Sequence, residues 1–179
     1  MKIGIIGLGL MGGSFSIEMR RLFPNSLILG NDISQINIKS AKRLELIDDV
    51  FEINNLSGFD IVLISVPVDI SLKIVNRVLD HVSEHTLVLD VGSTKLPICN
   101  EVQNHPNRQN FLAMHPISGT ENSGPDASVK GLYTSITNIV CEKEKTGLKQ
   151  YELALSIFCL LYTSPSPRDR SLSRMPSSA

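Results

Sequence analysis

Gly7-Leu8-Gly9-Leu10-Met11-Gly12 restricts the fold more than any other stretch of this chain, because this GxGxxG separates a short apolar run, Lys2 to Gly7, from a helix-like segment ending near Leu22. Glycines with this spacing suit a strand that turns at once into a helix. Gly7 permits the tight turn, Gly9 lets the backbone approach a diphosphate, and Gly12 lets helix pack closely on strand. The free N–H groups of Leu10, Met11 and Gly12 at the helix start attract the anion, and Ser14 in the first turn adds a hydroxyl. A second apolar run, Leu27 to Asn31, is followed by Asp32, about 20 residues after the last glycine. A carboxylate there accepts hydrogen bonds from both ribose hydroxyls of a dinucleotide and repels a 2′-phosphate, so NAD is preferred to NADP. Ile33 and Ser34 follow it, with no arginine, and Lys39 is the nearest cation that could meet a phosphate. The competing role for Asp32 is a turn or helix-capping residue.

The rest of the chain repeats the same alternation. The helix expected over Gly12 to Leu22 stops before Pro24-Asn25, and another begins near Ser34, a good N-cap. Asp60 to Val66 is the clearest buried strand, ended by Pro67. Ile70, Ile74, Val75, Val78, Leu79 and Val82 then recur at helical spacing. Thr86 to Val91 is the next strand. Asn110 to Met114 and Ser135 to Cys141 are two further β-rich runs around a Gly/Ser/Asn-rich loop, and Leu148 to Leu161 is an amphipathic helix. Runs buried on both faces, separated by helices, specify a doubly wound, mostly parallel α/β sheet with helices on both faces, a Rossmann-like domain over residues 1–161. Residues 162–179 carry Ser-Pro-Ser-Pro and Arg-Asp-Arg without apolar periodicity and are expected to be a disordered tail. That tail is either a regulatory, phosphorylatable segment or, the preferred reading, a stretch unrelated to the fold.

Composition excludes several classes. A net charge of −1 gives no basic excess for nucleic acid, and no apolar run reaches the roughly 20 residues of a membrane span. The opening residues leave no room for a cleavable leader, so a cytoplasmic location is expected. Cys99, Cys141 and Cys159 are odd in number and widely spaced, which suits neither a disulfide framework nor a zinc site. The partner expected is a small-molecule substrate.

Candidate chemistry falls at strand ends. Val66 and Pro67 follow the central strand on the edge where such sheets bind ligands, and are expected to line the adenosine side. Asp90-Val91-Gly92-Ser93-Thr94-Lys95 ends the next strand with a hydroxyl-bearing turn. Ser93 either reaches a nicotinamide pocket or, with Thr94, caps the helix containing Pro97. His115 follows Phe111-Leu-Ala-Met114 and precedes Pro116, which places it at a strand end as a positioned acid or base. His81, His85 and His105 look like surface or core residues. The turn Gly119-Thr120-Glu121 can wrap over a ligand.

GLGLMGGS, DVGSTK and HPISGTENSG, in this order and spacing, resemble the prephenate dehydrogenases of the tyrosine pathway over about the first 160 residues. The resemblance implies oxidative decarboxylation of prephenate to 4-hydroxyphenylpyruvate, carbon dioxide and NADH. It implies that His115 hydrogen-bonds the ring hydroxyl and helps remove its proton. Ser93 would orient that histidine and contact substrate or cofactor, while Gly119, Thr120 and Glu121 would surround the substrate. It also implies a second, helical domain that makes the homodimer and supplies cations for the substrate carboxylates. That domain is expected to be absent here, leaving an exposed apolar face and a chain whose own turnover is in question. Arogenate dehydrogenase and a non-catalytic NAD-binding fragment are the alternatives. A β-hydroxyacid dehydrogenase shares the glycine motif, but HPISGTENSG argues against it.

Overall fold

A computed structural model describes residues 1–161; the tail expected over 162–179 lies outside the described residues. Seven strands form one sheet in the order β3-β2-β1-β4-β5-β6-β7. They are β1 (Lys2–Ile6), β2 (Leu27–Asn31), β3 (Asp49–Val50), β4 (Ile61–Ile64), β5 (Leu87–Asp90), β6 (Phe111–Pro116) and β7 (Asn138–Cys141), linked by α1 (Leu10–Leu22), α2 (Gln35–Arg43), α3 (Val68–His81), α4 (Leu96–Val102) and α5 (Leu148–Leu161). All pairings are parallel except β6 with β7, so the doubly wound, mostly parallel architecture expected from the alternation is the one observed. The two-residue β3 carries too little pattern to be anticipated.

Alternating side chains divide the core into two layers. Ile3, Ile5, Leu63, Leu89, Leu112 and Met114 face Phe15 and Met19 of α1 and Ala154, Ile157 and Leu161 of α5. Ile6, Val62, Ile64, Val88, Phe111 and Ala113 face Val75, Val78 and Leu79 of α3 and Ile98, Cys99 and Val102 of α4. The expected α3 stripe splits accordingly. Val75, Val78 and Leu79 are fully buried against the sheet, whereas Ile70 and Ile74 line a cavity at its carboxyl edge.

Element boundaries differ from expectation where backbone partners decide them. α1 starts at Leu10, two residues before the expected Gly12, because Gly9 is its N-cap. Ser34 caps α2 as expected, accepting the Asn37 N–H at 3.3 Å. β4 is confined to Ile61–Ile64, and β7 begins at Asn138 instead of Ser135. β6 extends through His115 and Pro116 because β7 pairs with it there, His115 opposite Ile139 and Pro116 opposite Asn138.

α1 lies exceptionally close to β1. A Cβ on Gly12 would stand 2.0 Å from the Gly7 carbonyl oxygen and 2.7 Å from Ser65 Oγ, while Gly7 itself takes φ +93°. Along the same helix, the fully buried Glu18 carboxylate accepts the Gly131 N–H at 2.7 Å and pairs with Arg21 at 2.9 Å. Ser14 Oγ accepts the Val129 N–H at 3.0 Å, Tyr133 donates its hydroxyl to the Met11 carbonyl at 3.1 Å, and the Tyr133 ring meets Phe15 edge-on. Burial pushes the Tyr133 phenol up, which keeps it a donor.

Two substitutions probe these contacts. Gly12→Ala is expected to lower stability in urea unfolding by about 1–3 kcal/mol, since the new methyl group meets backbone that cannot yield. Glu18→Ala removes the acceptor of the part-buried Gly131 N–H and leaves a gap at a fully buried position, and is expected to cost about 1–3 kcal/mol. Glu18→Gln, which keeps an acceptor for Gly131, should cost less, since the half-exposed Arg21 pair contributes little.

Candidate active site at the carboxyl edge of the sheet

Ile6, Ile64, Asp90 and Ala113 stand in one rank across four adjacent parallel strands. Each is followed within three residues by part of the expected site: Gly7 and Gly9 after β1, Val66 and Pro67 after β4, Ser93 after β5, and His115 two places beyond Ala113. Registration of the sheet therefore gathers segments about 20 to 110 residues apart in sequence onto one edge.

Two adjoining cavities open there. The larger, about 660 Å³, has Gly9, Asp32, Asn37, Ile33, Ile53, Ile70 and Ile74 in its walls. The smaller, about 280 Å³, is lined by Met11, Val68, Val91, Gly92 and Ser93. Ser65, Val66 and Pro67 line both and form the wall between them. Sequence reading missed Ser65. Its hydroxyl lies 2.8 Å from the Gly7 carbonyl and 3.0 Å from that of Ile6, bridging β4 to the glycine turn. A lone serine at a strand end carries no signal in one sequence.

The glycine loop leaves the start of α1 open to approach. A Cβ on Gly9 would point into open space, so the backbone there can be approached without obstruction. The first turn of α1 has no side-chain cap and no acidic residue, which leaves its unpaired N–H groups and positive end facing outward. Gly7 and Gly12 serve the turn and the packing beneath, and the Leu10 side chain is buried in the core. Ser14 does not face this cradle, because its hydroxyl is engaged by Val129. Lys39 is exposed on α2.

Asp32 takes the turn role weighed for it and also stands in a cavity wall. Its carboxylate accepts the Leu8 N–H at 2.8 Å, the Ser34 N–H at 2.8 Å and the Asn37 amide at 3.3 Å, which fixes it in the wall of the larger cavity. A carboxylate has about four acceptor sites, so hydrogen bonding to a ribose remains open to it.

On β5 and β6 the site takes a different form. Neither Ser93 nor Thr94 caps α4: its N-cap is Lys95, with no side-chain capping bond, which removes the capping alternative. The Lys95 ammonium turns back to the Asp90 carboxylate and to the Asp90 carbonyl. Burial raises the Asp90 carboxyl above its ordinary range, with Lys95 pulling it down.

His115 is half-buried. Phe111 and Ala113 pack toward α3 and α4, so the two-residue period puts His115 on that same face, the one from which the Ser93 turn enters α4. Its Nδ1 is buried with no hydrogen-bond partner among the described residues, and no hydrogen bond joins it to Ser93. Buried unpaired nitrogens are rare, and catalytic sites are among the places where they persist. Gly119, Thr120 and Glu121 are exposed in the loop beyond β6 and line neither cavity; Thr120 Oγ1 accepts the Asn122 N–H at 3.2 Å. Among the described residues no cluster of His, Cys, Asp and Glu could hold a metal, and no helix is long and apolar enough to cross a membrane.

The sequence and fold of this chain have counterparts. Residues 15–162 match the family described as "Prephenate dehydrogenase, nucleotide-binding domain". A prephenate dehydrogenase of Bacillus subtilis is 32% identical over 152 residues, covering 83% of this chain and 41% of the relative. The Aquifex aeolicus prephenate dehydrogenase solved with hydroxyphenyl propionate and NAD+ superposes with a TM-score of 0.82 at 32% identity, over 90% of this chain and 57% of that one. Synechocystis arogenate dehydrogenase gives 0.80 at 26% identity, over 90% and 57%. The chain thus spans between two fifths and three fifths of these relatives, and it belongs to the prephenate dehydrogenase family, as its nucleotide-binding domain.

Proposed function

We propose that this chain is the NAD-binding, histidine-bearing part of an enzyme that oxidatively decarboxylates prephenate to 4-hydroxyphenylpyruvate. The observation that carries the reading is the common rank of strand ends, which puts the glycine loop, the Ser93 turn and the unpaired His115 nitrogen along one edge. A family relative solved with NAD+ and hydroxyphenyl propionate supports it.

Gly7, Gly9, Leu10, Met11 and Gly12 hold the diphosphate on the α1 N-terminus, while Asp32 takes the adenosine ribose. Val66 and Pro67 separate the adenosine cavity from the smaller one, which takes the nicotinamide. The carboxylate of Asp32, fixed by three donors, disfavours a 2′-phosphate and so favours NAD over NADP. Bound there, NAD supplies the hydride acceptor. His115 accepts the proton of the ring hydroxyl as hydride leaves the same carbon. The ring carboxylate departs as carbon dioxide, and the electron pair of the broken C–C bond completes the aromatic ring. Ser93 faces the same reaction from the β5 turn, and Gly119, Thr120 and Glu121 close over the substrate.

NADH formation by the purified chain with NAD and prephenate, run beside arogenate and with NAD binding followed by calorimetry, tests the whole reading. Turnover of prephenate by this chain would establish the assignment and make the family's helical domain dispensable for it. Turnover of arogenate alone would transfer the assignment to the amino counterpart, and binding without turnover would mark a cofactor-binding fragment. Gly9→Ala is expected to weaken NAD about tenfold or more with little change in stability, because its Cβ meets only the space assigned to the diphosphate. In an active full-length context, His115→Asn is expected to keep NAD affinity and lose about 10²–10⁴ in turnover. Undiminished turnover would refute the role of His115.

A further inference from the structure

The turn between β5 and α4 is closed by a charged pair that the reaction above does not use. Lys95 and Asp90 side chains are 9% and 1% exposed, and the ammonium reaches back across Val91, Gly92, Ser93 and Thr94 to both the carboxylate and the main-chain carbonyl of Asp90. Asp90 ends β5 in register with Ile64 and Ala113, so one end of this strap is anchored in the middle of the sheet. The other end is the N-cap of α4, whose Ile98, Cys99 and Val102 are buried in the core. Between these anchors Ser93 and Thr94 are exposed, and their hydroxyls make no hydrogen bond among the described residues. Gly92 and Ser93 line the smaller cavity.

Burying two charges to close a turn is costly, and a neutral turn would close at least as stably. What a buried bidentate pair adds is a single geometry, because the ammonium must meet two acceptors at once. We propose that the Asp90–Lys95 pair is a positioning device that holds the Gly92-Ser93-Thr94 turn against the nicotinamide half of the dinucleotide and presents its free hydroxyls to the carboxamide. Lys95 is a positioning residue and not a catalytic one, since its ammonium is withdrawn onto Asp90. The inference rests on the nucleotide-binding reading, and it predicts that the two halves of the cofactor respond differently to loss of the strap.

ADP-ribose fills only the adenosine and diphosphate parts of the site, whereas NAD+ adds the nicotinamide. Calorimetric titration of the whole chain with each ligand therefore separates the halves. Lys95→Met and Asp90→Asn each leave one partner buried and alone and can fail to fold, so the decisive variant is the double substitution D90N/K95M, which removes both charges. The double variant, shown folded by circular dichroism, is expected to bind ADP-ribose within about twofold of the original and NAD+ about tenfold more weakly. Amide exchange at Gly92, Ser93 and Thr94 should accelerate without either ligand. Equal weakening of both ligands would reduce the pair to a structural element and overturn the proposal, as would unchanged binding of NAD+. A parent chain that binds neither ligand would overturn the nucleotide-binding reading and this inference with it.

Discussion

Everything at this edge depends on one close approach, that of α1 to the turn after β1. Gly12 sits where a methyl group would overlap the Gly7 carbonyl, and Gly7 occupies a backbone region that disfavours side chains, with the Ser65 carbonyl 2.5 Å from where its Cβ would be. The Ser65 hydroxyl joins the turn from the neighbouring strand. Two glycines and a serine therefore set the height and tilt at which the N-terminus of α1 meets the sheet. A helix start displaced by an ångström would lose its alignment with the cavities on either side of Val66 and Pro67.

The same helix then organises the second half of the chain. Ser14, Glu18 and the Met11 carbonyl bind Val129, Gly131 and Tyr133, and Gly13 leaves room for Ser128, whose hydroxyl would stand 1.9 Å from a Cβ there. Asp126 adds a surface connection to Ser40 and Arg43 of α2. The loop that follows β6, just beyond His115, thus returns to the helix that begins at the glycine motif. A polar residue inside α1 is consequently a fastening for a distant loop. That explains why Ser14, expected to face a phosphate, is turned away from it, and why Glu18 is buried at the centre of a helix.

Features that depend on local pattern were legible in the sequence: the apolar strands, the α3 stripe, the glycine turn, the Ser34 cap, and the positions of Asp32 and His115 at strand ends. Features that depend on partners were not. β3 exists only because β2 is beside it, and β6 runs on to Pro116 because β7 pairs with it. Ser65 and Glu18 acquire meaning only from groups dozens of residues away. For Ser93 the sequence left capping and pocket lining in balance, and the capping bond is absent because Lys95 occupies the N-cap and directs its side chain to Asp90.

Several helices begin near this edge, and their starts differ in how open they are to an anion. α2 has Ser34 accepting one of its free N–H groups, α3 carries Asp69 in its first turn, and α4 has a buried ion pair at its cap. α1 alone among these four has neither a capping side chain nor a charged residue at its N-cap or in its first turn, and its N-cap glycine offers no Cβ to hold an anion away. A helix end left bare would cost stability unless something else supplies the acceptors. The sequence thus forgoes a capping side chain, at a cost of roughly a few tenths of a kcal/mol with glycine in its place, at a helix start that borders both cavities. That local sacrifice is the physical counterpart of the glycine pattern: the loop leaves a helix start open to an anion, at some cost to the isolated helix.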